Sequence, residues 1–364
     1  MIINDMTTSI SKPSETFLKT KSEIIFLIGS ILTSLGILLV TVGGSWDITN
    51  HLLSKPETFF SPPHALMYFG VAVSLSGAVL SFIGWKNLQK SRDSYFLSLK
   101  IKLIGIGLLT GAGPLDFVWH SYFGLDGLLS PPHFTLITGM FLCSVGGMIG
   151  ISRYLKFNNS QSIAKYLLIL AVIPVWLSAS GIISSLSLPF SSTDFFEFNP
   201  EPTFAFIIAS LAYPFLISLS LFLIFRLSNY QFGIMSVLGG LFLLIYSSTA
   251  IIPNFAMFDT LQFYSLNLIP FVVADIFLKL NRSKLSLFFV GGLMGSVFYM
   301  VYYPYVMYTY NEILLGKLVS PSLIYFVYFE LIQTVLLFTL LPSIVMGILA
   351  VVFSAKLTKK ILIN

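Results

Sequence analysis

Long uninterrupted stretches of apolar residues dominate the chain, and short polar segments separate them. Each stretch is about 20 residues long, which is the length an α-helix needs to cross the hydrocarbon core of a bilayer. The stretches are continuously apolar, whereas a membrane β-barrel alternates apolar and polar positions. The pattern therefore predicts ten transmembrane helices, over residues 22–43, 63–84, 99–118, 132–152, 164–186, 203–225, 230–252, 261–279, 285–305 and 321–353.

The composition agrees with a membrane protein. Hydrophobic residues make up 56% of the 364 positions and charged residues only 10%, compared with about 25% charged residues in soluble domains. The polar residues 1–23 contain no cleavage pattern of a signal peptide, which predicts that the first helix is an uncleaved anchor. We expect an all-α integral membrane protein that is surrounded by the lipid bilayer.

The net charge of +5 is explained by where the basic residues lie. With ten spans and a cytoplasmic N-terminus, 18 of the 20 basic residues fall in cytoplasmic segments, among them Lys102, Arg153 and Arg226. Only Lys55 and Lys317 lie outside. This distribution follows the positive-inside rule and predicts a multi-pass cell-membrane protein with both termini cytoplasmic. The charge thus indicates topology and gives no reason to expect a nucleic-acid partner.

One polar segment occurs twice. The first copy reads DITNHLLSKPETFFSPPH from Asp47, and the second reads DFVWHSYFGLDGLLSPPH from Asp116. The two copies are 69 residues apart and contain all four histidines of the chain. Each copy follows an odd span, so both connections are predicted on the outer face, in a parallel duplication of a helical hairpin. Residues 1–157 form the half that carries the motif, and residues 158–364 form a second helical half of about six spans and unknown role.

The spacing within each copy suits a metal site. An Asp and a His four residues apart project from one face of a helix. The Pro-Pro pair before the second His favours a helix start, with Ser61 and Ser130 as predicted N-caps. Two imidazoles and one carboxylate then converge from adjacent helices, a donor set that suits copper, iron or zinc. The predicted metal ligands are Asp47, His51 and His64 in the first copy and Asp116, His120 and His133 in the second.

Other acidic residues have candidate roles. Glu57 and Asp126 are at equivalent loop positions, where we expect acceptors for the ligating histidines, bridging ligands or simply solvated acids. Asp275 precedes Lys279 by four residues, which predicts an ion pair within one helix. Glu330 lies deep in an apolar stretch, where an ionisable group is costly, so it is a candidate for proton relay or for pairing with a tyrosine.

The repeated pattern, D-x3-H-x12-H with an acid six residues after the first histidine, resembles the C subunit of the copper membrane monooxygenases. That family oxidises methane, short hydrocarbons or ammonia. The resemblance covers about residues 40–150. It implies one copper at Asp47, His51 and His64, and a second metal position at Asp116, His120 and His133. The family usually has Asn where this chain has Asp116, and this chain continues for about six further spans.

Two classes of function fit these features. The first is a membrane oxidase or monooxygenase subunit that binds metal, copper by resemblance, and acts on a small substrate at the outer face with other membrane subunits and an electron donor. The second is a multi-pass transporter or metal-delivery protein. Heme ligation by paired histidines fits less well, because an Asp precedes the first His of each copy by one helical turn. Whether two mononuclear sites or one dinuclear site form stays open at this stage.

Overall fold

The structure is a computed structural model that describes residues 21–52, 55, 58–88, 92–124, 127–158, 161–187, 200, 202–253, 255, 258, 261–297 and 321–363. Within these ranges every regular element is a helix, which confirms the all-α prediction. The helices are α1 Lys21–Leu52, α2 Pro62–Lys86, α3 Arg92–Phe123, α4 Pro131–Asn158, α5 Gln161–Ser187, α6 Pro202–Leu227, α7 Ile234–Ile251, α8 Leu261–Leu266, α9 Leu268–Leu280, α10 Lys284–Val297 and α11 Pro321–Ile363.

Eight of the described helices, α1 to α7 and α11, are long and apolar enough to cross a membrane. They also expose many large apolar side chains on their outer surfaces, as expected for helices that face lipid. The fold therefore agrees with a multi-pass membrane protein. The helices extend beyond the predicted apolar stretches at several ends; α3, for example, begins at Arg92 rather than at residue 99.

The eighth predicted stretch, residues 261–279, is interrupted. It consists of α8 and α9, which meet at Asn267. The side chain of Asn267 is buried. Its backbone is the N-cap of α9. The ninth stretch begins as α10, which has 14 described residues and is too short to span a bilayer alone. Residues 298–320 lie outside the described part of the chain.

Small residues let the first two hairpins pack tightly. A Cβ atom added at Gly70 of α2 would lie 2.7 Å from the carbonyl oxygen of Gly36 in α1. The same relation recurs between α4 and α3, where a Cβ at Gly139 would lie 2.9 Å from the carbonyl oxygen of Gly105. The two glycine pairs are 69 residues apart, the same offset as the polar motif. The backbones of each hairpin thus approach one another closely, as small residues allow in membrane bundles.

Three basic residues that we expected in cytoplasmic segments are buried instead: Lys102, Arg153 and Arg226. Their helices are longer than the apolar stretches, so these positions lie within the bundle. The Nε of Arg153 donates to the carbonyl oxygen of Ile361 near the end of α11 at 3.1 Å. The Nε of Arg226 donates to the Ser354 hydroxyl of α11 at 3.1 Å. Such cations stabilise a helix whose C-terminal carbonyls lack intrahelical partners.

Candidate metal centre

The second copy of the motif brings its three predicted ligands together. Asp116 and His120 lie one turn apart near the end of α3. His133 lies in the first turn of α4, directly after Pro131 and Pro132. Proline is well placed at the start of a helix because its fixed φ angle suits the first turn and no hydrogen bond is lost. The short connection between the helices therefore turns His133 back toward the pair on α3.

The three donor atoms form a small triangle. The Nε2 atoms of His120 and His133 are 3.3 Å apart. The Oδ1 atom of Asp116 is 3.5 Å from Nε2 of His120 and 3.1 Å from Nε2 of His133. Two ligands held about 2.1 Å from one ion at a tetrahedral angle are about 3.4 Å apart. The spacing fits one transition-metal ion, which would sit about 0.9 Å out of the plane of the donors and keep positions open. This group is a candidate metal site.

Backbone carbonyls hold both rings in one orientation. Nδ1 of His120 lies 2.7 Å from the carbonyl oxygen of Gly124, and Nδ1 of His133 lies 3.1 Å from that of Gly127. A carbonyl oxygen only accepts hydrogen bonds, so this network assigns the ring proton to Nδ1 in each neutral imidazole. The lone pairs on both Nε2 atoms then point toward each other and toward a carboxylate. A cation relieves the repulsion of such an arrangement.

The hydroxyl of Ser130 adds to the support of His133. We expected Ser61 and Ser130 to cap the helices α2 and α4. Ser61 occupies the N-cap position of α2, but its side chain makes no capping hydrogen bond. The Oγ of Ser130 lies 3.0 Å from Nδ1 of His133. Groups that contact the second nitrogen of a ligating histidine fix its orientation and tune the metal.

The first copy repeats part of this arrangement. Oδ1 of Asp47 is 2.9 Å from Nε2 of His64, and Nδ1 of His64 is 3.0 Å from the carbonyl oxygen of Thr58. Thr58 and Gly127 are 69 residues apart, so equivalent carbonyls orient equivalent histidines in the two hairpins. The backbone of His51 belongs to the last turn of α1, and its side chain lies outside the described part of the chain.

The remaining acidic candidates divide into two groups. Glu57 and Asp126 lie outside the described residues, and so does the side chain of Glu330. The predicted ion pair of Asp275 with Lys279 is wrong. Oδ2 of Asp275 accepts hydrogen bonds from the backbone N–H and the hydroxyl of Ser236, in the first turn of α7. A carboxylate at a helix N-terminus satisfies free backbone donors and interacts well with the helix dipole.

Lys102 is a polar feature of the same bundle that the sequence analysis assigned to a loop. Its side chain is fully buried in α3. Its Nζ donates to the hydroxyls of Ser30 in α1 at 2.9 Å and Ser81 in α2 at 2.7 Å. It also lies 4.3 Å from the centre of the Phe26 ring, a cation–π contact. The signal in the sequence is the run SLKIKLIGIGLL, in which this lysine interrupts an apolar helix face.

An apolar layer separates this lysine from the candidate metal centre. Lys102 precedes Asp116 by 14 residues, which is about 21 Å along a helix. Between them α3 buries Ile106 and Leu109. These pack in one cluster with side chains from the other helices of the two hairpins: Ile37, Val40, Ala78, Met140 and Cys143. The candidate metal centre is therefore closed toward the middle of the bundle, while its side chains stay 13–27% exposed at the helix ends.

Comparison with known proteins adds no relative to this description. The chain matches no family model, no curated protein and no solved structure.

Proposed function

We propose that Asp116, His120 and His133 bind a divalent transition-metal ion, and that the ion is copper. The observation that carries this proposal is the convergence of two imidazole Nε2 atoms and one carboxylate oxygen within 3.1–3.5 Å of one another. Imidazole and carboxylate donors together suit copper, zinc or iron. Among the first-row divalent ions, Cu²⁺ has the highest intrinsic affinity for such sites.

A second, related site belongs to this proposal. It uses Asp47, His51 and His64, and it is the product of a parallel duplication of the hairpin. Support comes from the shared offset of 69 residues between the motifs, between the glycine pairs and between the carbonyls that orient His64 and His133. Two mononuclear sites then occur, one in each hairpin.

The proposed topology has ten crossings, with both termini in the cytoplasm and both sites at the outer face. The segment α8–α9 is one interrupted crossing, and α10 begins another. An interruption within the membrane is tolerated where the freed backbone is buried in protein, and Asn267 at the break is 3% exposed. Both motifs connect an odd helix to the following even helix, so the two sites lie on the same side.

For the activity, we propose a metal-dependent oxidase or monooxygenase subunit that acts on a small substrate. The site keeps open coordination positions and lies at the helix ends, where small apolar molecules and oxygen arrive from the lipid. The resemblance of the motif to the C subunit of copper membrane monooxygenases points the same way. In that case other membrane subunits and an electron donor complete the reaction.

The alternative is transport or delivery of a metal ion. A path for a cation through the first two hairpins would pass the apolar layer around Ile106 and Leu109 and then the buried Lys102. An apolar barrier and a positive charge both oppose a cation in a low-dielectric medium. Binding at the membrane edge is therefore favoured over passage. Uptake of Cu²⁺ into sealed vesicles that depends on His133 would favour transport instead.

The test is metal analysis of the purified full-length protein with the variants His133→Ala and His64→Ala. We expect two metal equivalents in the wild type and one in each single variant, with a Cu²⁺ electron paramagnetic resonance spectrum typical of nitrogen and oxygen donors. Tyr166→Phe, an exposed tyrosine at the start of α5, is the control and should retain both equivalents. A wild-type protein that binds no transition metal would overturn the proposal.

A further inference from the structure

Tyr68 lies between the two candidate sites. It is one turn after His64 in α2, and the centres of the two rings are 6.2 Å apart. Its other side faces α3, because a Cβ atom added at Gly113 would lie 3.9 Å from Cε1 of Tyr68. Gly113 precedes Asp116 by three residues, so the two lie on one face of α3. Tyr68 therefore starts from the first site and reaches the helix that carries the second.

Two further aromatic rings complete this bridge. The ring of Phe59 lies 5.1 Å from that of Tyr68 and 5.1 Å from that of Phe117, measured between centroids. Phe117 follows Asp116 directly in α3. The phenol of Tyr68 also interacts electrostatically with the carboxylates of both Asp116 and Asp47. One hydroxyl group is thus close to one ligand from each site.

The bridge exists in one direction only. The residue 69 positions after Tyr68 is Ile137, which is buried and has no polar atom in its side chain. The hairpins are alike at the glycine pairs and at the carbonyls that orient the histidines, and they differ here. A duplication that retained the ligands but placed a phenol on one side only gives the pair of sites a single shared group.

We propose that Tyr68 couples the two metal sites by sharing its one hydroxyl hydrogen between the carboxylates of Asp47 and Asp116. This inference rests on the proposed function and adds a regulation of the same sites. A phenol has one O–H donor and so serves one carboxylate at a time. When a cation binds Asp116, it occupies that carboxylate, and the phenol turns its hydrogen bond toward Asp47. No proton leaves the tyrosine in this exchange.

The coupling has a definite sign. A carboxylate that accepts a hydrogen bond from the phenol is a weaker metal ligand, so an ion in one site lowers the affinity of the other. Repulsion between the two cations acts in the same direction and does not need the hydroxyl. Removal of the hydroxyl therefore leaves part of the coupling and removes the rest. Coupling between binding sites in proteins is about 5- to 150-fold, and we expect about tenfold here.

The experiment is a Cu²⁺ titration of the full-length protein in detergent. The affinity of the second site is measured with the first site intact and again in His64→Ala, which lacks the first ion. The ratio of the two affinities is the coupling, and the same pair is then measured with Tyr68→Phe. We expect a ratio of about ten with tyrosine and of about two to three with phenylalanine. Tyr166→Phe is the matched control and should leave the ratio unchanged.

A spectroscopic measurement separates coupling from a packing role. With one Cu²⁺ per protein in the His64→Ala background, Tyr68→Phe should shift the electron paramagnetic resonance parameters of the ion, because a hydrogen bond near Asp116 is lost. Equal coupling ratios for tyrosine and phenylalanine would overturn the inference and leave two metal sites standing. Absence of Cu²⁺ binding in the wild type would overturn the proposed function and this inference together.

Discussion

The first hairpin, α1–α2, and the second, α3–α4, agree where the chain is held together and differ where it meets its neighbours. Both close on a glycine pair, and both orient the histidine of the even helix through a backbone carbonyl. They differ at Thr33, whose equivalent is Lys102. The comparison teaches that the backbone packing and the support of the donor atoms belong to the hairpin itself.

The differing positions have a common property. Thr33 bonds only within its own helix, to the carbonyl oxygen of Gly29. Lys102 reaches from the second hairpin to two serines of the first. Tyr68 reaches from the first hairpin toward the second. These two side chains therefore join two similar units into one asymmetric bundle, and each is a place where the units can be distinguished by substitution.

The largest effect is expected at the metal ligands. Loss of a group that merely supports a metal ligand costs about 10- to 100-fold in affinity, and loss of the ligand itself costs more. For His133→Ala we expect a loss of at least about 1,000-fold at the second site, and for His64→Ala an equal loss at the first. Competition with a chelator, followed by metal analysis, measures each. Loss of both sites in either variant would contradict the existence of two separate centres.

The glycine pairs come next. In Gly139→Leu the new side chain meets the backbone of α3, and in Gly70→Leu it meets the backbone of α1. Overpacking of this kind costs about 1–3 kcal/mol or more because the helices must separate. Thermal unfolding in detergent, followed by circular dichroism, measures the loss.

The matched control for these glycines is Gly107→Leu in α3. A Cβ atom at Gly107 meets nothing within 4 Å, so the stability should change little. Similar stability of all three variants would show that close backbone contact does not hold the hairpins.

A smaller effect is expected at the lysine between the hairpins. Lys102→Ala leaves a void, and deletion of a large buried side chain costs about 2–4 kcal/mol. Lys102→Met keeps most of the volume. Ser30 and Ser81 keep their hydrogen bonds to carbonyls of their own helices, so the stability should stay within about 1 kcal/mol. Unfolding by denaturant compares the two. Equal, large losses would mean that the charge itself is required.

The smallest effect distinguishes the serines of the two motifs. Ser130 contacts Nδ1 of His133, whereas the hydroxyl of Ser61 is buried without a hydrogen-bond partner. Ser130→Ala should lower the metal affinity of the second site by about tenfold, at the low end of effects from groups that support a ligand. Ser61→Ala should leave the first site unchanged. The same chelator competition measures both, and equal losses would contradict the difference seen between the hairpins.

Most of the helices were predictable from hydropathy alone, because burial in lipid or protein selects apolar residues over a whole span. The break at Asn267 was not, since one polar residue hardly changes an average over 20 positions. The length of α3 was also underestimated, so Lys102 was assigned to a loop. A buried lysine in a long helix needs partners on other helices, and nothing local in the sequence names Ser30 and Ser81.

The candidate site was predictable because its chemistry is local. Asp116 and His120 share a helix face by spacing, and the Pro-Pro pair fixes where His133 enters. Asp275 shows the limit of such reasoning. The i, i+4 rule selected Lys279, but the carboxylate accepts hydrogen bonds from Ser236, which is 39 residues away in the chain. A lysine at a helix end keeps its charge in water, whereas free backbone donors inside the protein need an acceptor.

The carbonyls of Gly124 and Gly127 orient the histidine rings without help from an ion. Little reorganisation is then left for an arriving metal, so the free energy of binding is not spent on assembling the bundle. Folding and loading become separate events, unlike those of small domains that collapse only around their metal. The protein can enter the membrane first and acquire its ion afterwards, and a strong chelator should empty it without unfolding it.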